Sequence, residues 1–345
     1  MDEKMQMQTS NLTFADDRVE VNGPLSAQPI TVFYASDEKY VPYLSVSIGS
    51  LAAHATAHRR YHIIVLSREI SEESKKKLLT VTAPYANIQL DIMEMGEKII
   101  DAVKDDHNIL NEDAVIYAIY FRLFIAELFP EFDRALYLDA DTVIERDIAD
   151  LFDMDLHGAA VAAAVDKFVA VEPDLRRYAQ RVAGVAPEKY VNSGVLLMDL
   201  AQWRQLHAAS RFTQLMNQWH IRSVCSDQDY LNAMFAGRIA ILDPRWDVMT
   251  ASGLEPPEEK WLIHYNLIGK PWFYPKAMMA DRFWHYAQDS PFLDRIEQVR
   301  DEAASLNMVE RDAQKKKKLI GHADEYSQLP ITFRSLVEKG VSVRL

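Results

Sequence analysis

The sequence predicts an α/β protein in which a mostly parallel sheet is covered by helices on both faces. Three observations support this: short apolar runs recur in the first half, amphipathic stretches separate them, and polar residues follow two of the runs. Strands that alternate with helices are typical of parallel sheets, because a crossover helix returns the chain to the same edge. Ligands of such sheets bind beyond the carboxyl ends of the strands.

Each element of the first half has a local signal. Strands are predicted from apolar, β-branched runs, while Ser71 is expected to cap one helix and Pro130 to end another. The predicted elements are a strand at 30–35, a helix at 40–58, a strand at 61–66, a helix after Ser71, a strand at 88–93, a helix at 114–129 and a strand at 134–138.

The second half is less regular. The predicted elements are an apolar run at 158–165, a strand at 190–199, helices at 201–219 and 227–235, and a helical pattern within 273–300. A lysine run, Lys315 to Lys318, lies in an amphipathic tail. We therefore expect a loosely ordered polar leader (1–29), one α/β domain (30–290) and a basic helical tail (291–345).

Composition excludes several classes of protein. The 345 residues carry 38 basic and 51 acidic side chains, a net charge of −13, which argues against generic binding of nucleic acid. One cysteine excludes a disulfide framework, and no Gly-x-Gly occurs for a dinucleotide fingerprint. The sequence has no apolar run of about 18 residues for a membrane span and no secretory signal, so a cytoplasmic protein is expected.

The strongest local signal is an apolar strand that ends in Asp139-Ala140-Asp141. In an extended chain both carboxylates point to the same side, where they can face one cation such as Mg²⁺ or Mn²⁺. Haloacid-dehalogenase-like phosphatases also carry such a pair after a strand, and Asp139 would then be a phosphoryl nucleophile. That alternative normally requires a downstream Gly-Asp pair, which this sequence lacks.

Further motifs follow in a fixed order along the chain. They are Ala35-Ser36-Asp37 with Tyr40, Tyr120-Phe121-Arg122-Leu123, Tyr137-Leu138-Asp139-Ala140-Asp141, Asn192-Ser193-Gly194-Val195, Ser226-Asp227-Gln228-Asp229, and His264 with Lys270-Pro271-Trp272. With these motifs the chain, from about residue 30 to 286, resembles glycosyltransferase family 8. These retaining enzymes are related to lipopolysaccharide galactosyl- and glucosyltransferases and to glycogenin.

The resemblance implies a GT-A fold, which is a Rossmann-like sheet with a smaller acceptor-side portion. It also implies a role for each residue of the site. The implied metal ligands for Mn²⁺, with Mg²⁺ as the alternative, are Asp139, Asp141 and His264. The implied contacts to the UDP-sugar donor are Ala35, Asp37, Tyr40, Arg122, Asp139, Ala140, Asp166, Asn192, Gly269 and Lys270. The implied catalytic residues are Gln228 and Asp227.

The residues taken alone leave other roles open. Asp37 and Asp227 also fit helix caps, Asn192 fits a turn, and Arg122 fits a side chain that reaches the surface. The resemblance implies UDP-galactose or UDP-glucose as donor and a glycan, glycolipid or glycoprotein as acceptor. The basic tail fits contact with the inner face of the membrane, and it equally fits a helix packed on the core with solvated lysines.

The sequence departs from the family pattern at two positions. Leu267 stands where relatives usually have glycine, and Lys39 stands where they often have asparagine. The phosphate-binding loop is therefore expected to differ in shape. These departures keep open a third interpretation, a protein that binds UDP-sugar without transferring it.

Overall fold

The computed structural model describes residues 28–95, 119–250 and 253–345. Nearly all of the predicted leader (1–29) and the start of the helix predicted at 114–129 lie outside this part. The described chain forms a seven-stranded sheet, in the order β3-β2-β1-β4-β7-β6-β8, and a three-stranded sheet, β5-β10-β9. The strands are β1 Ile30–Asp37, β2 Tyr61–Arg68, β3 Ile88–Glu94, β4 Arg134–Leu138, β5 Thr142–Ile144, β6 Val161–Ala163, β7 Val195–Asp199, β8 Ile239–Ile241, β9 Val248–Met249 and β10 Leu262–His264.

The large sheet is mostly parallel, which confirms the predicted fold class. Strands β3, β2, β1 and β4 run parallel to one another, whereas β7 is antiparallel to both β4 and β6. The strand predicted at 190–199 is shorter than expected because Asn192 begins a turn, in which its Oδ1 accepts a hydrogen bond from Gly194 N at 2.8 Å.

Helices cover the sheet. The α-helices are α1 Val41–His54, α2 Glu72–Thr80, α3 Ile125–Leu128, α4 Ala149–Phe152, α5 Lys167–Val171, α6 Pro173–Tyr178, α7 Leu200–Gln205, α8 Ala208–Trp219, α9 Ser226–Met234, α10 Ala280–Ala287, α11 Leu293–Ser305, α12 Met308–Tyr326 and α13 Phe333–Glu338. The predicted cap of α2 is confirmed, since the Ser71 side chain accepts a hydrogen bond from Ser74 N. A short 3₁₀ segment, Phe121–Phe124, precedes α3.

The prediction of one helix over 201–219 is wrong. His207 adopts a left-handed conformation, with φ of 53°, and separates α7 from α8. Trp203 and Phe212 are both fully buried. Nine residues of continuous helix would turn them about 180° apart, at 3.6 residues per turn. The break at His207 allows both rings to face the core.

Alternate residues of the central strands enter two different cores. Phe33 belongs to one apolar cluster, whereas Val32 and Tyr34 belong to the other. This alternation is expected for a strand buried on both faces. The polar ends of β1 and β4 therefore remain as the places where the sheet can present functional groups.

The C-terminal segment packs into the core beneath α9. Phe333 and Val343 are fully buried, and the Phe333 ring lies edge-on to the Tyr230 ring at 4.8 Å. The backbone N–H of Leu345 donates a hydrogen bond to the carbonyl of Met234 at 2.8 Å. Among the described residues, none of the helices combines the length and apolar content that crossing a bilayer requires.

Phe333→Ala is expected to lower the free energy of unfolding by about 3–5 kcal/mol, because it leaves a cavity beside Tyr230. Arg334→Ala, next to it on the exposed face, should change this free energy by no more than about 0.5 kcal/mol. Urea unfolding followed by circular dichroism measures both values. Equal stability of the two variants would contradict a C-terminal segment that is part of the core.

Candidate active site

Asp139 and Asp141 lie in the connection between the two sheets. Strand β4 ends at Leu138 and strand β5 begins at Thr142, so the three residues between them cross from one sheet to the other. Strand β10 pairs antiparallel with β5, with His264 opposite Thr142. This register brings His264 to the aspartate pair, although 123 residues separate it from Asp141 along the chain.

The three side chains form a group that can hold a cation. His264 Nε2 lies 3.5 Å from Asp139 Oδ2 and 3.3 Å from Asp141 Oδ1. One ligand atom from each residue lies within 4.8 Å of the others. Two carboxylates and an imidazole are a donor set that suits Mn²⁺. The geometry therefore fits the metal ligands that the resemblance implies.

Gly194 keeps space open beside this group. A Cβ atom at this position would lie 2.3 Å from His264 Cε1 and 2.6 Å from Asp139 Oδ2, closer than real Cβ atoms come. The Gly194 carbonyl also accepts a hydrogen bond from Asp139 N at 2.8 Å. A glycine is therefore required where strand β7 begins.

Asp247 fixes the orientation of His264, a role that no motif in the sequence indicates. Its Oδ1 lies 3.0 Å from His264 Nδ1, and its side chain is completely buried after a short 3₁₀ segment, Pro244–Trp246. Burial raises the pKa of Asp247. Burial would lower the pKa of His264, but Asp247, Asp139 and Asp141 together raise it well above its ordinary value. With Nδ1 held by Asp247, Nε2 faces the aspartate pair.

Arg122 is buried, so the alternative in which it reaches the surface is wrong. Its Nη2 donates to Asp139 Oδ1 at 2.9 Å, and its Nε lies 3.2 Å from Asp227 Oδ2. The guanidinium lies 4.2 Å from the centre of the Tyr137 ring. Burial raises the pKa of Asp227 to about 6, although the charge of Arg122 opposes this increase. Arg122 thus joins Asp139 to the helix that carries Gln228.

Lys270 lies on the opposite side of the aspartate pair. Its Nζ contacts Asp141 Oδ2 at 2.5 Å and donates to the Tyr265 carbonyl. Burial would raise the pKa of Asp141, but Lys270 and His264 hold it well below its usual range. Leu267 has a left-handed backbone with φ of 57°, so this non-glycine residue keeps a conformation that glycine adopts more easily. The Gly269 N–H points to Asp312, to which it donates at 2.9 Å.

Gln228 is held at both ends of its amide. Its Oε1 accepts from Ser193 N at 3.1 Å, and its Nε2 donates to Asp166 Oδ2 at 3.0 Å. The same Asp166 oxygen accepts from Asn192 Nδ2 at 3.2 Å. Asp166 also caps α5, and Asn192 also shapes the turn before β7. These side chains therefore have structural roles, in addition to the binding and catalytic roles that the resemblance implies.

A cavity of about 140 Å³ opens beside the aspartate pair at the carboxyl ends of β1 and β4. Seven of the residues that the resemblance implies line it, namely Ala35, Asp37, Tyr40, Arg122, Asp139, Ala140 and Asp141. Asp37 Oδ1 accepts a hydrogen bond from Tyr40 N at 3.0 Å, as in a helix cap, and so keeps both interpretations of Asp37 open. Asp227 contacts Arg122, which lines the cavity, whereas Asp166, Asn192 and Gln228 are not among the lining residues.

This fold and this site define a glycosyltransferase of the GT-A class, since solved glycosyltransferases share the architecture. The family model named "Glycosyl transferase family 8" matches residues 31–276, and the chain belongs to that family. Membership favours sugar transfer over the phosphatase alternative for the aspartate pair.

Three known proteins illustrate the similarity. GlyF, a glycosyltransferase of Streptococcus pneumoniae serotype 4, is 26% identical over 303 residues, which cover 84% of this chain and 68% of GlyF. The lipopolysaccharide glucosyltransferase WaaO of Escherichia coli K12 is 29% identical over 189 residues, 52% of this chain and 53% of WaaO. The crystal structure of galactosyltransferase LgtC with donor and acceptor sugar analogs has a TM-score of 0.64 and 25% identity, and the match covers 76% of this chain and 96% of LgtC.

Asp247→Ala is expected to weaken Mn²⁺ binding about 10- to 100-fold, because His264 loses the partner that orients it. Asp247→Asn keeps an acceptor for Nδ1 and should lose less. Asp281→Ala, at an exposed position in the first turn of α10, is the matched control. Calorimetric titration with Mn²⁺ on variants that keep the wild-type circular dichroism measures the affinities. Wild-type affinity in folded Asp247→Ala would show that Asp247 does not orient the ligand.

Proposed function

We propose that this protein transfers galactose or glucose from a UDP-sugar to an acceptor hydroxyl, with retention of anomeric configuration and with Mn²⁺ as cofactor. The observation that supports the proposal most is the convergence of Asp139, Asp141 and His264 beside a cavity at the sheet edge. Membership of family 8 supports sugar transfer as the reaction class. The choice of Mn²⁺ rests on the mixed carboxylate and imidazole donor set.

In the proposal, Asp139, Asp141 and His264 hold the divalent ion. When bound, the ion supplies positive charge that neutralises the diphosphate leaving group. Lys270 and Arg122 add fixed positive charge on either side of the aspartates, close enough to contact diphosphate oxygens. Both side chains are nearly buried, which strengthens their electrostatic effect on a bound anion.

The uridine is assigned to the cavity end formed by β1. Asp37 carries a carboxylate that can accept from the uracil N–H, and Ala35 and Tyr40 line the same cavity. The Tyr40 ring contacts the rings of Tyr43 and Trp272 edge-on, at 5.6 and 6.4 Å. These contacts hold Tyr40 in place as one wall of the base pocket. Lys39, an exposed neighbour, replaces the usual asparagine at the rim.

The sugar is assigned to the side of Gln228, Asp166 and Asn192. Retention requires either two inversions at the anomeric carbon or attack from the face that the leaving group vacates. An amide is a poor nucleophile, and both ends of the Gln228 amide are engaged. Gln228 is therefore assigned to stabilise positive charge on the sugar ring, while Asp227 positions Arg122 and Asp166 and Asn192 bind sugar hydroxyls.

The acceptor is proposed to be a glycan-bearing molecule, with a glycolipid at the inner face of the membrane as the favoured class. Lys315 and Lys317 are exposed on α12, and Leu306 and Val309, 52% and 70% exposed, lie near its start. Basic and apolar groups together favour an anionic bilayer surface.

Cosedimentation with anionic vesicles tests the membrane contact. Lys317→Gln with Lys318→Gln, at adjacent exposed positions of α12, should reduce binding by roughly 2 kcal/mol, at about 1 kcal/mol per lysine. Lys76→Gln with Lys77→Gln on α2 removes the same charge elsewhere and should have a smaller effect. Equal binding by both double variants would exclude α12 as the contact.

Transfer itself is tested with a panel of UDP-sugars and Mn²⁺, reading UDP release and the anomeric configuration of the product. Wild-type protein should release UDP from UDP-galactose or UDP-glucose, and chelation with EDTA should abolish the release. Asp141→Asn should lower kcat/KM by at least about 100-fold, because it removes a metal ligand and the partner of Lys270.

The surface variant Asp155→Asn is the matched control and should remain active. UDP binding without release from any sugar, with or without an acceptor, would support the non-catalytic interpretation. Release of inorganic phosphate from sugar phosphates without UDP-sugar would instead support the phosphatase.

A further inference from the structure

Helix α11 contacts the loop that follows β1. Arg295 donates from Nη1 to Glu38 Oε1 and from Nη2 to the Glu38 carbonyl, both at 2.9 Å. Glu38 also accepts from Ser71 N at 2.9 Å and from the Ser74 hydroxyl at 2.8 Å, both at the start of α2. Glu38 immediately follows Asp37, so this one side chain ties the nucleoside end of the cavity to α2 and α11.

Helix α12 contacts the loop that carries Lys270. The Asp312 carboxylate accepts the Gly269 N–H at 2.9 Å. The loop contains two left-handed residues, Leu267 and Gly269, with φ of 57° and 70°. A leucine in this conformation costs roughly 1–2 kcal/mol, so the loop needs contacts that retain it. The hydrogen bond that the Gly269 N–H donates to Asp312 is one such contact, directly beside Lys270.

The same helix also contacts the sugar side of the site. Lys316, four residues after Asp312 and thus on the same face, lies 3.9 Å from Glu172 and 5.2 Å from the Phe168 ring. Phe168 lies in α5, the helix that Asp166 caps. One turn of α12 therefore contacts both the Lys270 loop and the helix that Asp166 caps, at the diphosphate and sugar parts of the proposed donor site.

We propose that α11 and α12 form a brace that fixes the donor-binding loops, with Arg295 and Asp312 as positioning residues that do not contact the donor. This inference rests on the proposed function of the site as a UDP-sugar site. Loops already ordered in the free protein lose less entropy when a ligand binds. The brace therefore increases donor affinity, and its loss raises the KM for the donor more than it lowers kcat.

Asp312→Ala is the sharpest test. It should weaken binding of UDP with Mn²⁺ about 2- to 12-fold, the range for one lost hydrogen bond, and raise the donor KM by a similar factor. Asp312→Asn keeps an oxygen that accepts from Gly269 N and should restore most of the affinity. Asp324→Ala on the same helix removes a surface contact to Arg177 and should leave both values unchanged.

A second pair of variants tests α11. Arg295→Gln should weaken UDP binding in the same way, whereas Glu302→Gln, at an exposed position on the same helix that contacts Gln298, should leave it unchanged. Thermal denaturation of all variants shows whether a general loss of stability explains the change. If Arg295→Gln and its control on the same helix lose the same affinity for UDP, the proposal of a brace is wrong.

Hydrogen exchange provides a readout that needs no ligand. In Asp312→Ala, the amide of Gly269 and its neighbours should exchange faster than in Asp324→Ala. If wild-type protein does not bind UDP with Mn²⁺ but the exchange difference appears, the proposed function fails and the order imposed by α12 stands. If wild-type protein binds UDP and neither exchange nor affinity changes, the brace fails and the proposed function stands.

Discussion

Asp139 and Asp141 can be largely buried at neighbouring positions only because three basic side chains face them. Arg122 pairs with Asp139, Lys270 pairs with Asp141, and His264 lies between the two carboxylates. Burying an unpaired carboxylate is costly, and removal of one partner from a buried pair leaves the other charge uncompensated. Arg122 lies 17 positions before Asp139 and Lys270 lies 129 positions after Asp141, so the charge balance of the site exists only in the folded protein.

The topology explains how these groups meet. The chain leaves the large sheet at Leu138 and enters the small sheet at Thr142, which holds the intervening aspartates at the junction. Antiparallel β7 brings Gly194 against Asp139, and antiparallel β10 brings His264 against Asp141. In a uniformly parallel sheet, only the carboxyl ends of the strands would meet at this edge. The antiparallel strands therefore supply the partners that parallel strands cannot.

Elements and site residues that depend on a local sequence pattern could be predicted, whereas those that depend on contacts between distant segments could not. Apolar runs indicate the strands at 30–35 and 134–138. The structure places the polar residues that follow both strands at one cavity. Asp247 follows no predicted strand and belongs to no motif. Its role depends on its contact with His264, which forms only in the folded chain. Asp312 lies just before a lysine run that, in sequence alone, is typical of a solvent-exposed tail. The break at His207 had one available signal, the opposed positions of Trp203 and Phe212 on a single helix.

The motif Ser226-Asp227-Gln228-Asp229 shows why neighbouring aspartates differ in role. Two residues of helix rotate a side chain by about 200°, so Asp227 and Asp229 point to opposite sides. Asp227 faces Arg122, whereas the fully buried Asp229 accepts from Tyr178 and Tyr190 at 2.6 Å, from Ser223 at 2.5 Å and from Cys225 N at 3.1 Å. These four donors offset the cost of burial and hold the first turn of α9, in which Ser226 is left-handed with φ of 35°. Gln228, in the same turn, extends between Ser193 and Asp166, and buried hydrogen bonds to both hold its amide there.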